Sequence, residues 1–151
     1  MNKLLLIAAL AVAAYFALVP GTPERHDSVA PPGVASVAAD GSNAVLENAF
    51  AHRLSNQQLE GQGTVVKVLA DDNNGSRHQR FIVRLDSGRT LLVSHNIDLA
   101  PRLDALRAGD TVVFYGEYEW NPKGGVIHWT HRDPQGSHVA GWIRHGGRTY
   151  Q

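Results

Sequence analysis

The stretch Gln79-Arg80-Phe81-Ile82-Val83-Arg84-Leu85-Asp86-Ser87-Gly88-Arg89-Thr90-Leu91-Leu92-Val93-Ser94-His95 decides the fold class. Phe81, Val83 and Leu85 alternate with Arg80, Ile82 and Arg84, the two-residue period of a strand with one face turned to a core. Asp86-Ser87-Gly88 is a short hairpin turn, and Arg89 to His95 returns as the second strand. Upstream, Thr64 to Ala70 is dense in valine and reads as another strand, set apart by the break Asp71-Asp72-Asn73-Asn74-Gly75-Ser76. The three together make a meander.

Downstream, Asn96 to Leu106 loses the alternation. It places Ile97, Leu99, Leu103 and Leu106 where a short helix covers an opening, with Pro101 limiting its start. Thr111 to Trp120 is a long strand, Asn121-Pro122-Lys123-Gly124-Gly125 its turn, and Val126 to Thr130 the partner. The tail repeats the device with Trp142 to His145, a Gly146-Gly147 turn, and Arg148 to Tyr150. Three strands, a short helix and two strands is the order of a mainly β, OB-type five-stranded barrel, with the helix plugging one end. An open α+β sheet and an SH3-like barrel are the competing architectures.

Ahead of the barrel, Asn43 caps an amphipathic helix from Ala44 to about Leu59. Its stripe is Val45, Leu46, Ala49, Phe50 and Leu54, and Gly61 and Gly63 end it. Residues 20 to 43 are rich in Pro, Gly, Ala and Ser, the composition of a flexible linker. Residues 4 to 19 form an unbroken apolar run behind Lys3. Residues 1 to 19 therefore read as a signal anchor in the inner membrane, or as a signal peptide cleaved near Ala11 and Ala13. The barrel domain, 44 to 151, is expected to face the periplasm in the first case and to be free there in the second.

Composition removes several function classes. The 151 residues carry 14 Lys plus Arg against 14 Asp plus Glu, so no uniform field exists to gather polyanions, and nucleic acid is an unlikely partner. Cysteine is absent, which excludes thiolate nucleophiles, thiolate metal sites and disulfides. No phosphate-binding glycine loop or GxSxG serine is present. The Asp71-Asp72 loop lacks the glutamate of a calcium loop, since Ile82 and Val83 stand at the twelfth places.

Eight histidines remain. His128-x-x-His131-x-Asp133-x4-His138 gathers imidazoles and a carboxylate suited to a divalent transition metal, provided the strand ends near Thr130 and the chain turns. His131, Asp133 and His138 then come before His128 as ligands. The plainer alternative is a His131–Asp133 pair among surface turns. A second candidate is a basic row, Arg80 and Arg84, on the outer face of the second strand. Tyr115 or Tyr118 and Trp120 would stand on a neighbouring strand and His95 at the rim, together clamping an envelope ligand such as a glycan, peptide or protein. Against it, Glu117 and Glu119 on that neighbouring strand would simply pair with the arginines.

The runs from Asp72 to Phe81 and from Ser94 to Arg102, together with Gly116-Glu117-Tyr118-Glu119-Trp120-Asn121, resemble a family of short exported bacterial proteins carrying a domain of unknown function. His128-Trp129-Thr130-His131-Arg132-Asp133-Pro134, followed by His138, Gly141, Trp142 and Tyr150, is similar to the same family. The resemblance spans about residues 45 to 151 and implies no activity, cofactor or catalytic residue. The expectation is an exported, membrane-tethered OB-like binding module of the cell envelope. The alternatives are a metal-dependent phosphodiesterase or nuclease using His131, Asp133 and His138 with Arg80 or Arg84 at the anion, and a structural envelope protein.

Overall fold

The computed structural model describes residues 34–151, with side chains from residue 41 onward. The apolar run at 4–19 and most of the linker therefore lie outside the described residues. One helix, α1 (Val34–Ala51), precedes seven strands: β1 (Gln57–Val68), β2 (His78–Arg84), β3 (Thr90–Asn96), β4 (Thr111–Glu119), β5 (Val126–His128), β6 (Trp142–His145) and β7 (Arg148–Tyr150). Among the described residues, no helix is long and apolar enough to cross a membrane.

The strands run in the order β1-β2-β3-β5-β4, and β1 pairs again with β4, so five strands close into a barrel of OB type. β1 serves both neighbours. Its first part, Gln57 to Thr64, lies antiparallel on β4, and its last part, from Thr64, lies on β2 with a bulge between Val65 and Lys67 that bends the strand across. β3 and β5 are parallel, joined at Leu92↔Val126 and Val93↔Ile127. The β6–β7 hairpin continues the sheet beyond β4, where β6 pairs with Val113 to Tyr115 and β5 with Glu117 to Glu119.

Inward alternation fills the barrel with Val65, Phe81, Val83, Leu91, Val93, Val112, Phe114, Tyr118 and Ile127, all buried. The two ends are closed differently. At the β2–β3 turn, α1 buries Leu46 and Ala49, and Glu47 holds Arg89 at 2.8 Å and the Ser87 hydroxyl at 2.5 Å. At the opposite end of β2, the segment 96–106 lays Leu103 and Leu106 over the opening.

That cover is not the expected helix: it is a chain of turns. The buried Gln79 amide takes the Leu103 backbone on both sides, donating to its carbonyl at 3.0 Å and accepting from its N–H at 2.9 Å. Pro101 adds no N–H and its carbonyl is held by His95. The backbone groups a helix needs are thus bonded elsewhere.

The N-terminal boundaries also shift. The helix starts at Val34, within the region expected to be linker, because the alanines at 35, 38, 39 and 44 favour helix more than neighbouring Gly41 opposes it. Asn43 is no cap but a buried helix residue whose amide brackets Gln62, donating to its carbonyl and accepting from its N–H, each at 3.0 Å. Val45 and Leu54, assigned to the apolar stripe, are half exposed and exposed. The helix ends at Ala51, closed by Arg53 in the left-handed region, and residues 57 to 63 are strand. Gly61 is therefore no helix stop. A Cβ there would meet Leu46 Cδ1 at 2.4 Å and the Phe114 ring at 2.7 Å, so glycine is what lets α1 seat on the barrel.

Candidate functional site

The segment that follows β5 builds the most distinctive surface. His128 is the last residue of β5, and Trp129 then turns the chain with a positive φ of 52°, a conformation non-glycine residues rarely hold. The turn is possible because glycines lie under it. At Gly116 a Cβ would stand 2.3 Å from the His128 carbonyl, and at Gly141 it would stand 2.0 Å from the Trp129 carbonyl. The indole stacks flat on His138, with centroids 4.1 Å apart, and leans on His131 at 5.1 Å.

Beside it opens a cleft of about 360 Å³ lined by Ser76, His78, Asn96, Leu99, His128, Trp129 and His131. It brings together the start of β2, the end of β3, the end of β5 and the loop that follows. Two of its histidines are oriented by the backbone. Nδ1–H of His78 donates to the Ser76 carbonyl at 2.8 Å, and Nδ1–H of His131 donates to the Arg132 carbonyl at 2.7 Å. In the neutral rings this leaves each Nε2 as an acceptor. His128 Nε2 is buried with no hydrogen-bond partner. Burial lowers its pKa against the pull of Glu117 and Glu119, which keeps the ring neutral at pH 7.

Behind the cleft, His95 is fully buried. Its Nε2–H donates to the Pro101 carbonyl at 3.1 Å, which fixes Nδ1 as acceptor for the Thr130 hydroxyl at 2.8 Å. Desolvation, which outweighs the bond to Pro101, lowers its pKa to about 4. His95 ties the barrel cover to the floor of the cleft; it is not a rim residue.

The expected metal ligands separate. Asp133 closes its own loop, accepting from the backbone N–H groups of Gln135, Ser137 and His138 and from the Ser137 hydroxyl, and these bonds hold its carboxyl down to about 2. His138 Nε2 lies 2.5 Å from Glu117 Oε2 and Nδ1 2.8 Å from the Val139 carbonyl, so both ring nitrogens face acceptors, and its pKa is raised, first by the hydrogen bond to Glu117. Among the described residues, the one set of three His, Asp or Glu side chains with donor atoms within 4.8 Å of one another is Glu117, Glu119 and His128. Of the four histidine and aspartate candidates only His128 belongs to it. Glu117 and Glu119 share one strand face, as the sequence pattern implies, and Glu117 lies against His128 and His138 rather than against an arginine.

The expected clamp of arginines and aromatics is not assembled either. β2 has β1 and β3 as neighbours, so the β4 aromatics stand elsewhere on the barrel. Tyr118 points into the core, its hydroxyl donating to the Gly124 carbonyl. Trp120 packs against Phe50 and under Arg53. Arg80 donates to the Ala70 carbonyl and pairs with Asp72 at 3.5 Å. Arg84 is exposed six residues along β2 from His78, roughly 20 Å at strand rise. Tyr115 packs against Trp142 instead, the rings tilted by 32° with centroids 6.0 Å apart. A smaller, mostly apolar groove of about 210 Å³ lies on the outer β2–β3 face between Leu69 and the β4–β5 turn at Asn121, Lys123 and Gly125.

The family model described as "Protein of unknown function (DUF3465)" matches residues 29–151. The chain belongs to that family. The matched span takes in α1, all seven strands and every residue of the cleft, so the helix that seats on Gly61 is part of the family's domain. No curated protein matches the chain.

Proposed function

We propose that this protein is an exported, membrane-tethered binding module of the cell envelope whose barrel holds a neutral, polyhydroxylated ligand, a glycan segment, in the histidine cleft. The observation that carries the reading is the lining itself. Asn96, Ser76 and the Nε2 atoms of His78 and His131, whose Nδ1 atoms are engaged by the backbone, offer hydrogen-bonding groups, the Trp129 indole offers an apolar face, and no lysine or arginine lines the cleft. Arg77 beside it is held by Asp98 at 2.7 Å, and Arg80 by Ala70 and Asp72. That chemistry matches sugar hydroxyls rather than phosphate or carboxylate, and the volume suits a fragment of one or two rings. Export and tethering are supported by the apolar run at 4–19 behind Lys3.

The test titrates the full-length chain, in mild detergent, with chito-oligosaccharides, with short peptides and with single-stranded RNA, following tryptophan fluorescence. Saturable binding of the saccharide alone, weakened by Asn96→Ala and His131→Gln in a chain that still melts cooperatively, is expected. Binding of peptide or RNA in its place, or saccharide binding indifferent to both variants, would overturn the reading. A periplasm-active reporter fused after Gln151 checks export, and activity confined to the cytoplasm would refute it.

A further inference from the structure

The side chains gathered on the outer face of β4 and β5 do not belong to the hydrogen-bonding just described. Glu117 and His128 are direct cross-strand partners, and Glu119 follows Glu117 on the same face. His128 Nε2 stands 3.5 Å from Glu117 Oε1. That is beyond a good hydrogen bond, and Nε2 makes none. Two donors on one tetrahedral ion, with bonds of about 2.1 Å, are about 3.4 Å apart, so the spacing is that of ligands sharing a metal. The other Glu117 oxygen, Oε2, is held at 2.5 Å by His138, itself stacked on Trp129. Such outer hydrogen bonds are what fix a ligating carboxylate in place.

We infer that Glu117, Glu119 and His128 bind one divalent transition-metal ion, zinc foremost, and that His138 is the positioning residue for Glu117. Two carboxylates neutralise the charge of the ion, and the imidazole favours zinc, cobalt, nickel or iron(II) over magnesium and calcium. Three protein ligands leave a coordination position open, and because His128 also lines the cleft that position is adjacent to it. The site differs from the His131, Asp133 and His138 set that the sequence suggests, and it stands whether or not a glycan occupies the cleft.

The experiment strips the full-length detergent-solubilised chain with chelator and titrates zinc against a chromophoric competitor. One equivalent is expected at micromolar affinity or tighter. Glu119→Gln and His128→Asn should each weaken it at least tenfold, His138→Gln by about tenfold, and His52→Asn, on the exposed helix end, not at all. Cobalt(II) added to the unmutated chain should give visible ligand-field bands and paramagnetically shifted His128 ring protons. This readout does not depend on the variants folding. Absence of a stoichiometric site, affinity unchanged in both Glu119→Gln and His128→Asn, or a cobalt spectrum that leaves the His128 protons unshifted would each overturn the inference. A chain that binds saccharide but no metal loses this inference and keeps the preceding reading.

Discussion

Acidification should destabilise the barrel through His95, by an amount the structure allows to be worked out. In the unfolded chain the imidazole titrates at its ordinary 6.5; in the barrel, burial lowers it to about 4, with His131 and His78 adding repulsion and the Pro101 carbonyl opposing the change. Below pH 6.5 the unfolded chain takes up a proton that the folded one refuses. Stability therefore falls from about pH 6.5 to about pH 4 and levels off below that. The full gap corresponds to about 3 kcal/mol, and about 2.5 kcal/mol of it is reached by pH 4.5. His128, also lowered, acts in the same direction. His138 acts in the opposite one: its raised pKa adds stability below 6.5 that is lost as pH rises through the folded value. The comparison that isolates His95 is urea denaturation of the unmutated chain and of His95→Gln from pH 7.5 to 4.5. Their stability difference should narrow toward acid by about 2–3 kcal/mol, because glutamine does not titrate. A difference constant to about 0.5 kcal/mol across that range would refute the argument, as would a His95 ring proton titrating near 6.5 by NMR.

Gln79→Leu should lower stability by about 2–4 kcal/mol, since it strands both the N–H and the C=O of Leu103 at a buried site; thermal melts check it, and a loss below about 1 kcal/mol would show that the cover is held otherwise. Gly116→Ala should cost at least about 2 kcal/mol and disturb the Trp129 stack, because its methyl would overlap the His128 carbonyl; an unchanged tryptophan spectrum with unchanged stability would contradict the packing.

Much of the barrel was legible because its signals are local. The alternation of Phe81, Val83 and Leu85, the Asp86-Ser87-Gly88 turn and the Gly146-Gly147 hairpin all have their cause within a few residues. The features that local pattern hides depend on partners far along the chain. Gln57 to Gly63 looks like the end of a helix until Leu46 is seen packed above Gly61. The cover 96–106 has helical spacing, but Gln79 captures its backbone from 24 residues away. The site followed the same rule. His128 could be singled out, whereas its pairing with Glu117 and Glu119 depends on β5 lying between β3 and β4, a neighbour relation that no periodicity reports. Conversely, Asp133 has the right chemistry for a ligand but is engaged by the N–H groups of its own loop.

The seam between β1 and β4 bears on how the chain reaches this state. Its eight residue pairs, from Gln57↔Tyr118 to Thr64↔Thr111, join positions roughly fifty to sixty residues apart, while the β2–β3 hairpin closes across a three-residue turn. Until that seam zips, β1 and β4 each expose an unpaired edge to other chains. The interval before closure is thus the slow and aggregation-prone part of folding, and the glycines at 61 and 63, which weaken β1 as an isolated strand, reduce its tendency to pair prematurely.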